Sequence, residues 1–502
     1  MVKPLKISST LIILTAALLA AGEVATGTQP LFAAFMAATL ICIGVTYNLL
    51  GGLGAISGIA FSTFAASSIV ISQFAKVILA EPADKPLESP MLTIKVYFVF
   101  YLCVMIGTFV YRHLRIRLPR PLEPSTFAQA DIQYKVSLVV GTVASLLYEY
   151  YEASPNPEIR TTTAHSIGLA LSPLLLFSIV LGVQDRIRTS HGRHSLGIKA
   201  LIPCLISVFF GFIETSRAHM ILPTAVYLFT CYVSGYKFRK KHLAAVLGEF
   251  AAFVLVISPF EIYSRGPMRE LDFNGRLHEG VELIRTLPAW TVVQQASLGG
   301  VESGSREEYY DRPGTFVLSR LSAIRADSNM INACAGGFHY GFTALKIDFR
   351  RNLPRFLDKN KPESDGAAYT GRVTGINGDD VENGEFVLTA ISDSFGAFGW
   401  FGVVVVGLIG FPTVFIVYES MFDIHKPWGI VATGAFCFQF AEVSMDGMLS
   451  LLVRAPAAIV LLSYAVGIIV RMIPVKGAAG ADPVQDFSLW DPDPDPAGQP
   501  NA

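Results

Sequence analysis

The chain contains 502 residues, of which 52% are hydrophobic and 16% are charged, and its formal net charge is -1. A chain this close to neutral has no global basic field, so we expect no nucleic-acid partner. Runs such as VVVVGLIGFPTVFIV are apolar on every face, which excludes the alternating strands of an outer-membrane barrel. The composition predicts an all-α polytopic membrane protein.

Apolar windows of about 20 residues predict about twelve transmembrane helices. They lie near 7 to 22, 31 to 50, 55 to 79, 91 to 111, 135 to 151, 165 to 183, 198 to 213, 219 to 236, 243 to 262, 396 to 418, 427 to 445 and 448 to 472. The first window also fits a signal peptide, because Lys3 and Lys6 precede it and small residues follow.

The short loops predict the orientation in the membrane, since Lys and Arg resist translocation. Alternate loops carry Arg112, Arg115, Arg117, Arg120, Arg186, Arg188, Arg193, Lys199, Lys237, Arg239, Lys240 and Lys241, and are therefore predicted to be cytoplasmic. An even number of spans then places both termini in the cytoplasm.

Four regions follow from this topology. Spans 1 to 9 occupy residues 1–262, a large extracytoplasmic loop occupies 263–386, and spans 10 to 12 occupy 387–475. The acidic, proline-rich tail at 476–502 cannot bury enough apolar surface to fold alone, so we expect it to be disordered. The six cysteines form no CxxC pair, and five lie in apolar runs, so no disulfide framework or cysteine metal site is expected.

The large loop is rich in arginine, with twelve arginines and three lysines. A guanidinium matches a pair of phosphate oxygens with two parallel hydrogen bonds, so this bias favours phosphate recognition. The alternative is that these arginines pair with the acids of the loop itself.

Two stretches of the loop combine cations with a helical pattern. In RLSAIRADSNMINACAGG, Arg320 and Arg325 accompany apolar residues at helical spacing, which predicts a short helix on the membrane surface. In DFRRNLPRFLDKNKPESDG, a second apolar face carries Arg351, Arg355 and Lys361 to headgroup level, and Pro354 limits the helix. Either an anionic lipid-linked substrate or ordinary membrane phospholipid fits such a cluster.

These motifs resemble those of the Wzy-type oligosaccharide repeat-unit polymerases of bacterial surface-polysaccharide assembly. The run NLPRFLDKNKPES is similar to the motif late in that family's periplasmic loop, and SDSFGAFGWFG is similar to the glycine motif that opens the next helix. ETSRAHMILP resembles the family's serine-arginine pair, which adds Arg217 to the site, although Thr215 stands where the family usually has glycine.

The resemblance implies a glycosyltransferase of the bacterial inner membrane. It would polymerise undecaprenyl-diphosphate-linked oligosaccharides without a metal or other cofactor, and a chain-length regulator is a further partner that it allows. The arginines would neutralise the departing diphosphate. The attacking hydroxyl needs a base, for which His339, Glu385 and Asp393 are the candidates. Each of the three also has an ordinary structural explanation, as a packed histidine or a hydrated carboxylate.

Other functions remain open at this point. An O-antigen ligase has similar spans and a similar loop but transfers to a different acceptor. A flippase or transporter of the lipid-linked unit would share the span count, yet no paired broken helices or inverted halves are visible in the sequence. A dolichyl-phosphate-type glycosyltransferase fits less well, because the first external loop offers only Glu23.

Overall fold

The computed structural model describes residues 6–114, 130–154, 162–214, 216–238, 271–286, 323–353, 388–441 and 443–473, with single positions at 240, 242, 244, 248, 358, 362, 369, 370, 373 and 374. These residues form helices and connections, with no strand among them. The helices are α1 (Ser9–Ala25), α2 (Pro30–Leu49), α3 (Ile56–Ile78), α4 (Pro90–Leu114), α5 (Ala130–Glu152), α6 (Thr163–Thr189), α7 (Ile198–Ile213), α8 (Arg217–Val233), α9 (Phe273–Thr286), α10 (Ile324–Cys334), α11 (Phe342–Asn352), α12 (Ala390–Met421), α13 (Pro427–Ala441) and α14 (Met445–Met472).

The helices begin where the chain supplies a cap or a proline. Ser8 accepts a hydrogen bond from the backbone of α1, and Thr162 and Ser444 do the same for α6 and α14. Proline opens α2 at Pro30 and α13 at Pro427, where its missing N–H costs nothing.

Six helical segments in the described part of the chain are long and apolar enough to cross a membrane, which makes this a membrane-embedded helical protein. They are Pro30–Gly54, Ile56–Ile78, Pro90–Leu114, Thr163–Thr189, Ala390–Met421 and Met445–Met472. Four further predicted spans coincide with α1, α5, α7 and α8, and one with the 15-residue helix α13. The predicted span at 243 to 262 lies outside the described residues apart from two positions, so twelve spans remain a prediction.

An aromatic cluster holds the long helices together. Phe411 of α12 packs its ring 4.9 Å from Phe64 of α3, 5.0 Å from Phe100 of α4 and 4.9 Å from Phe440 of α13. All four rings are fully buried. Helices α4 and α12 also touch through their backbones, because a Cβ at Gly107 would lie 2.2 Å from the carbonyl oxygen of Leu408. Small residues permit such close packing in membranes.

Polar clusters mark two opposite ends of this bundle. At one end, Glu419 of α12 accepts hydrogen bonds from Ser57, Tyr111 and Arg112, the last at 2.8 Å. At the other end lies Asp327 of α10, close to the start of α4 and the start of α12. We call these the Glu419 end and the Asp327 end. The charge pattern of the loops predicts that the Asp327 end faces outward.

Candidate functional site at the Asp327 end

Helix α10 docks into the bundle through one buried carboxylate. Asp327 has no exposed surface, and its Oδ1 accepts from the backbone N–H of Thr389 at 3.0 Å and from the Ser392 hydroxyl. Its Oδ2 accepts from the hydroxyls of Tyr97 and Thr389. Burial raises the pKa of Asp327, and these four donors oppose the rise. The carboxylate therefore joins α4, α10 and the start of α12.

Helices α10 and α11 correspond to the two helical stretches predicted in the loop. The sequence predicts that α10 lies on the membrane surface, but Ile324, Met330 and Ile331 are buried in the protein core. Its polar side also contacts α4, where Thr93 donates to Ser328 at 3.0 Å. The surface location predicted for α10 is therefore wrong, although its helical pattern is correct. Helix α11 ends at Asn352, just before the predicted stop at Pro354.

Helix α12 is broken near its beginning. Phe398 and Gly399 have non-helical backbone angles, and Gly399 lies at φ +60° and ψ -145°. The connection between α10 and α11 runs beside this break. Tyr340 N donates to the carbonyl of Gly396 at 3.2 Å, and Gly341 N donates to that of Ala397 at 3.0 Å. The connection between α10 and α11 and the broken part of α12 are thus hydrogen-bonded to each other through their backbones.

His339 lies directly on this break. Its Nε2 atom is 2.9 Å from the position that a Cβ on Gly399 would occupy. The imidazole fits there because glycine has no Cβ. The edge of the ring meets Phe395, with centroids 6.0 Å apart. The His339 side chain is exposed. It is therefore available to a substrate at the Asp327 end.

Asp393 is already occupied by structural hydrogen bonds. Its Oδ1 accepts from the Tyr340 hydroxyl, and its Oδ2 accepts from the backbone N–H of Met445 at 2.9 Å. Tyr340 also donates to the Asp393 carbonyl at 2.7 Å. Asp393 therefore fixes the start of α14 and the connection at Tyr340. A substrate proton accepted by either oxygen would compete with one of these hydrogen bonds.

The remaining predicted residues divide into two groups. Arg325, in the first turn of α10, and Arg351, in the last turn of α11, are both partly exposed, and both interact with other groups. They lie on the helices before and after the His339 connection. Outside the described residues are Arg320, Arg355, Lys361, Glu385 and the side chain of Arg217, whose backbone begins α8.

The structure adds a pair that our sequence reasoning missed. Glu214, just after α7, bonds through Oε2 to Nδ1 of His219, in the first turn of α8. Ser216 caps α8 between them by accepting from the His219 backbone N–H. In the sequence, the Glu214–His219 pair is visible as a glutamate and a histidine five residues apart, with the serine-arginine pair between them.

The Glu214–His219 pair has charged neighbours from other helices. Glu149 of α5 is buried, its Oε2 has no hydrogen-bond partner in the described part of the chain, and it lies close enough to Glu214 and Arg276 to feel their charges. Arg276 of α9 is buried too, and its Nε donates to the carbonyl of Leu271 at 3.0 Å. Helix α9, in the region predicted to be the large loop, therefore contributes a cation to this cluster.

Together these groups provide the parts of a transfer reaction on an anionic substrate. An exposed imidazole lies at a broken helix, the helices before and after it each carry an arginine, and a second imidazole with a carboxylate partner lies at the same end of the bundle. Comparison of the chain with protein families, with curated proteins and with solved structures finds no match.

Proposed function

We propose that this protein is a membrane glycosyltransferase that polymerises lipid-diphosphate-linked oligosaccharide repeat units at the Asp327 end. The observation that carries the proposal is the position of His339 over the break at Gly399, between the helices that bear Arg325 and Arg351. Arg325 lies in the first turn of the helix before the connection and Arg351 in the last turn of the helix after it, each about 15 Å along its helix from the connection.

The depth of the site supports a substrate anchored in the lipid. Helix α12 is an apolar segment long enough to span the membrane, and its break lies nine residues from its start. Exposed Trp400 and Phe401 follow the break directly. A diphosphate attached to a polyprenyl chain lies at the boundary between headgroups and hydrocarbon, where aromatic side chains are also favoured.

The chemistry then follows from charge. A hydroxyl of one lipid-linked unit attacks the anomeric carbon of the growing chain, and the bond from that carbon to the diphosphate oxygen breaks. The electron pair leaves with the diphosphate, whose growing negative charge Arg325 and Arg351 stabilise. His339 can donate an N–H to a substrate oxygen that lies at the break.

The test is to incubate purified protein in nanodiscs with an undecaprenyl-diphosphate-linked repeat unit and to resolve the products by length. We expect a ladder of longer lipid-linked glycans. Arg325→Lys keeps the charge but loses the bidentate hydrogen bond to the diphosphate, so we expect elongation to be at least about tenfold slower. Arg188→Lys, at an exposed position on α6, is the matched control and should elongate normally.

Folded wild-type protein that forms no ladder from an authentic substrate would contradict the proposal. Transfer of the glycan to a lipid A core acceptor, without elongation, would instead identify a ligase. Movement of the intact unit across the membrane without any transfer would identify a transporter.

A further inference from the structure

The Glu214–His219 pair has the arrangement of an oriented general base. The carboxylate bonds to Nδ1, which leaves Nε2 as the atom that can accept a proton. No hydrogen bond to Nε2 occurs among the residues the structure describes, and the His219 side chain is 38% exposed. One face of the ring stacks on Phe438 of α13, with centroids 5.4 Å apart. The imidazole is therefore fixed in direction and open at its reactive nitrogen.

The pair lies in a recess, because α7 is shorter than its neighbour α5. Lys199, near the start of α7, pairs with Asp131, near the start of α5, at 3.0 Å, so the two helices begin at the same level. From there α5 continues for 21 residues to Glu152 and α7 for 14 residues to Ile213. At 1.5 Å per residue, α7 ends about 10 Å lower. Glu214 follows directly on this lower end.

Helix α9, which belongs to the predicted large loop, packs on the end of α7. Phe273 and Leu277 of α9 pack on the buried side chains of Phe210 and Ile213, at the end of α7. Arg276 lies between them in sequence and is buried. The space beside the end of α7 therefore has Arg276 and the Glu214–His219 pair next to apolar side chains that are partly buried against α7, a mixture that suits a sugar with hydroxyl groups and apolar ring faces.

A series of contacts joins the Glu214–His219 pair to the first turn of α10, which carries Arg325. Phe438, against which His219 stacks, lies one turn before Ala441 at the end of α13. The carbonyl of Ala441 accepts from the Ser67 hydroxyl, and the carbonyl of Ser67 accepts from Ala323 N at 3.0 Å, just before α10. His219 and the first turn of α10 therefore lie on either side of the end of α13.

We propose that His219 is the general base of the transfer and that Glu214 is its positioning residue; this inference rests on the proposed function. As the hydroxyl oxygen of the acceptor sugar bonds to the anomeric carbon of the donor, its proton passes to Nε2 of His219. The imidazole becomes an imidazolium beside Glu214, and the diphosphate leaves with the electron pair of the broken bond.

The test measures kcat and KM for elongation in nanodiscs. His219→Gln should lower kcat by about 10²- to 10⁴-fold, with KM changed by less than about threefold, because only the proton acceptor is lost. Glu214→Gln should lower kcat at least about tenfold, since an amide N–H facing Nδ1 favours the tautomer whose Nε2 already carries a proton. The matched control is His165→Gln, which removes another imidazole paired with a glutamate, Glu152 at 2.8 Å, and should keep kcat within about threefold.

Three results would overturn the inference. Wild-type protein that makes no ladder would remove the proposed function and this inference with it. A wild-type ladder with normal kcat in His219→Gln would remove the inference alone. Equal loss in His219→Gln and His165→Gln would show that the pair acts through folding, and unfolding temperatures of the three variants would confirm this.

Discussion

Removing the carboxylate of Asp327 should undock α10 from the bundle. In Asp327→Ala the Ser392 hydroxyl can still donate to the carbonyl of Thr389 at 3.2 Å. The Tyr97 hydroxyl still has the carbonyl of Ser68 at 3.5 Å. The Thr389 hydroxyl can donate to the Tyr97 hydroxyl, with which it already interacts. No alternative acceptor for the Thr389 N–H occurs among the described residues. The variant therefore leaves one buried donor without a partner.

A buried donor without a partner costs about 1 to 3 kcal/mol, so the variant should lose about 2 kcal/mol. Every 1.4 kcal/mol changes an equilibrium tenfold, so the open population of α10 should rise about 30-fold. Asp327→Asn should cost less, about 1 kcal/mol. Its carbonyl can face the fixed Thr389 N–H, while its amide faces the hydroxyls of Tyr97 and Thr389, which can turn to accept.

Cys334 provides the assay because it lies on α10 and is 1% exposed. Burial raises the pKa of its thiol to about 11, so the docked form does not react near neutral pH. Maleimide labelling then measures the open form, whose thiol has an ordinary pKa of about 8.5. Labelling should therefore increase about tenfold per pH unit between pH 7 and 8 in wild-type protein and variants alike.

The labelling experiment uses a chain in which Cys334 is the single cysteine. A second chain that keeps only Cys231, which is fully buried in α8, reports opening of the bundle itself. Asp327→Ala should accelerate labelling of Cys334 and leave that of Cys231 unchanged. Equal labelling of Cys334 in Asp327→Ala and wild type, within about threefold, would refute the docking role of this carboxylate.

Three further substitutions have definite expected effects, all measured as thermal unfolding in detergent. Gly399→Ala should cost at least about 2 kcal/mol, because its backbone angles are strained for any residue with a Cβ; an unchanged unfolding temperature would argue against the break. Tyr340→Phe removes a donor to Asp393 and should cost about 1 to 3 kcal/mol; stability equal to wild type would show that Asp393 needs no such partner. Arg112→Ala leaves the largely buried Glu419 without its cation and should cost about 3 kcal/mol, with Arg112→Lys recovering part of the loss; equal stability of the two variants would exclude a role for charge.

The apolar runs were sufficient to predict most of the membrane helices, because length and hydrophobicity are local properties. The environment of α10 was not predictable in this way. Its pattern of Ile324, Met330 and Ile331 is the same for a helix that lies on lipid and for one that packs on protein. Contacts with distant parts of the chain, such as that with Tyr97 some 230 residues earlier, distinguish the two.

The site shows the same limit. FGAFGWFG carries the family resemblance, but nothing in this apolar segment indicates that the backbone breaks at Gly399 and supports His339. Asp393 was predicted as a base, yet its two oxygens are engaged by Tyr340 and a backbone N–H. Such pairings join distant parts of the chain, and a single sequence records only the residue types.

Three of the long helices contain a π-helical turn, at Ala66–Val70 in α3, Val406–Gly410 in α12 and Ser450–Arg454 in α14. A turn of this kind holds one residue more than an α-helical turn needs, while the helix on either side keeps its orientation. Deleting one residue anywhere else in these helices would rotate all that follows by about 100°. These turns are therefore where each helix can change its length by one residue without turning its packed face toward the lipid.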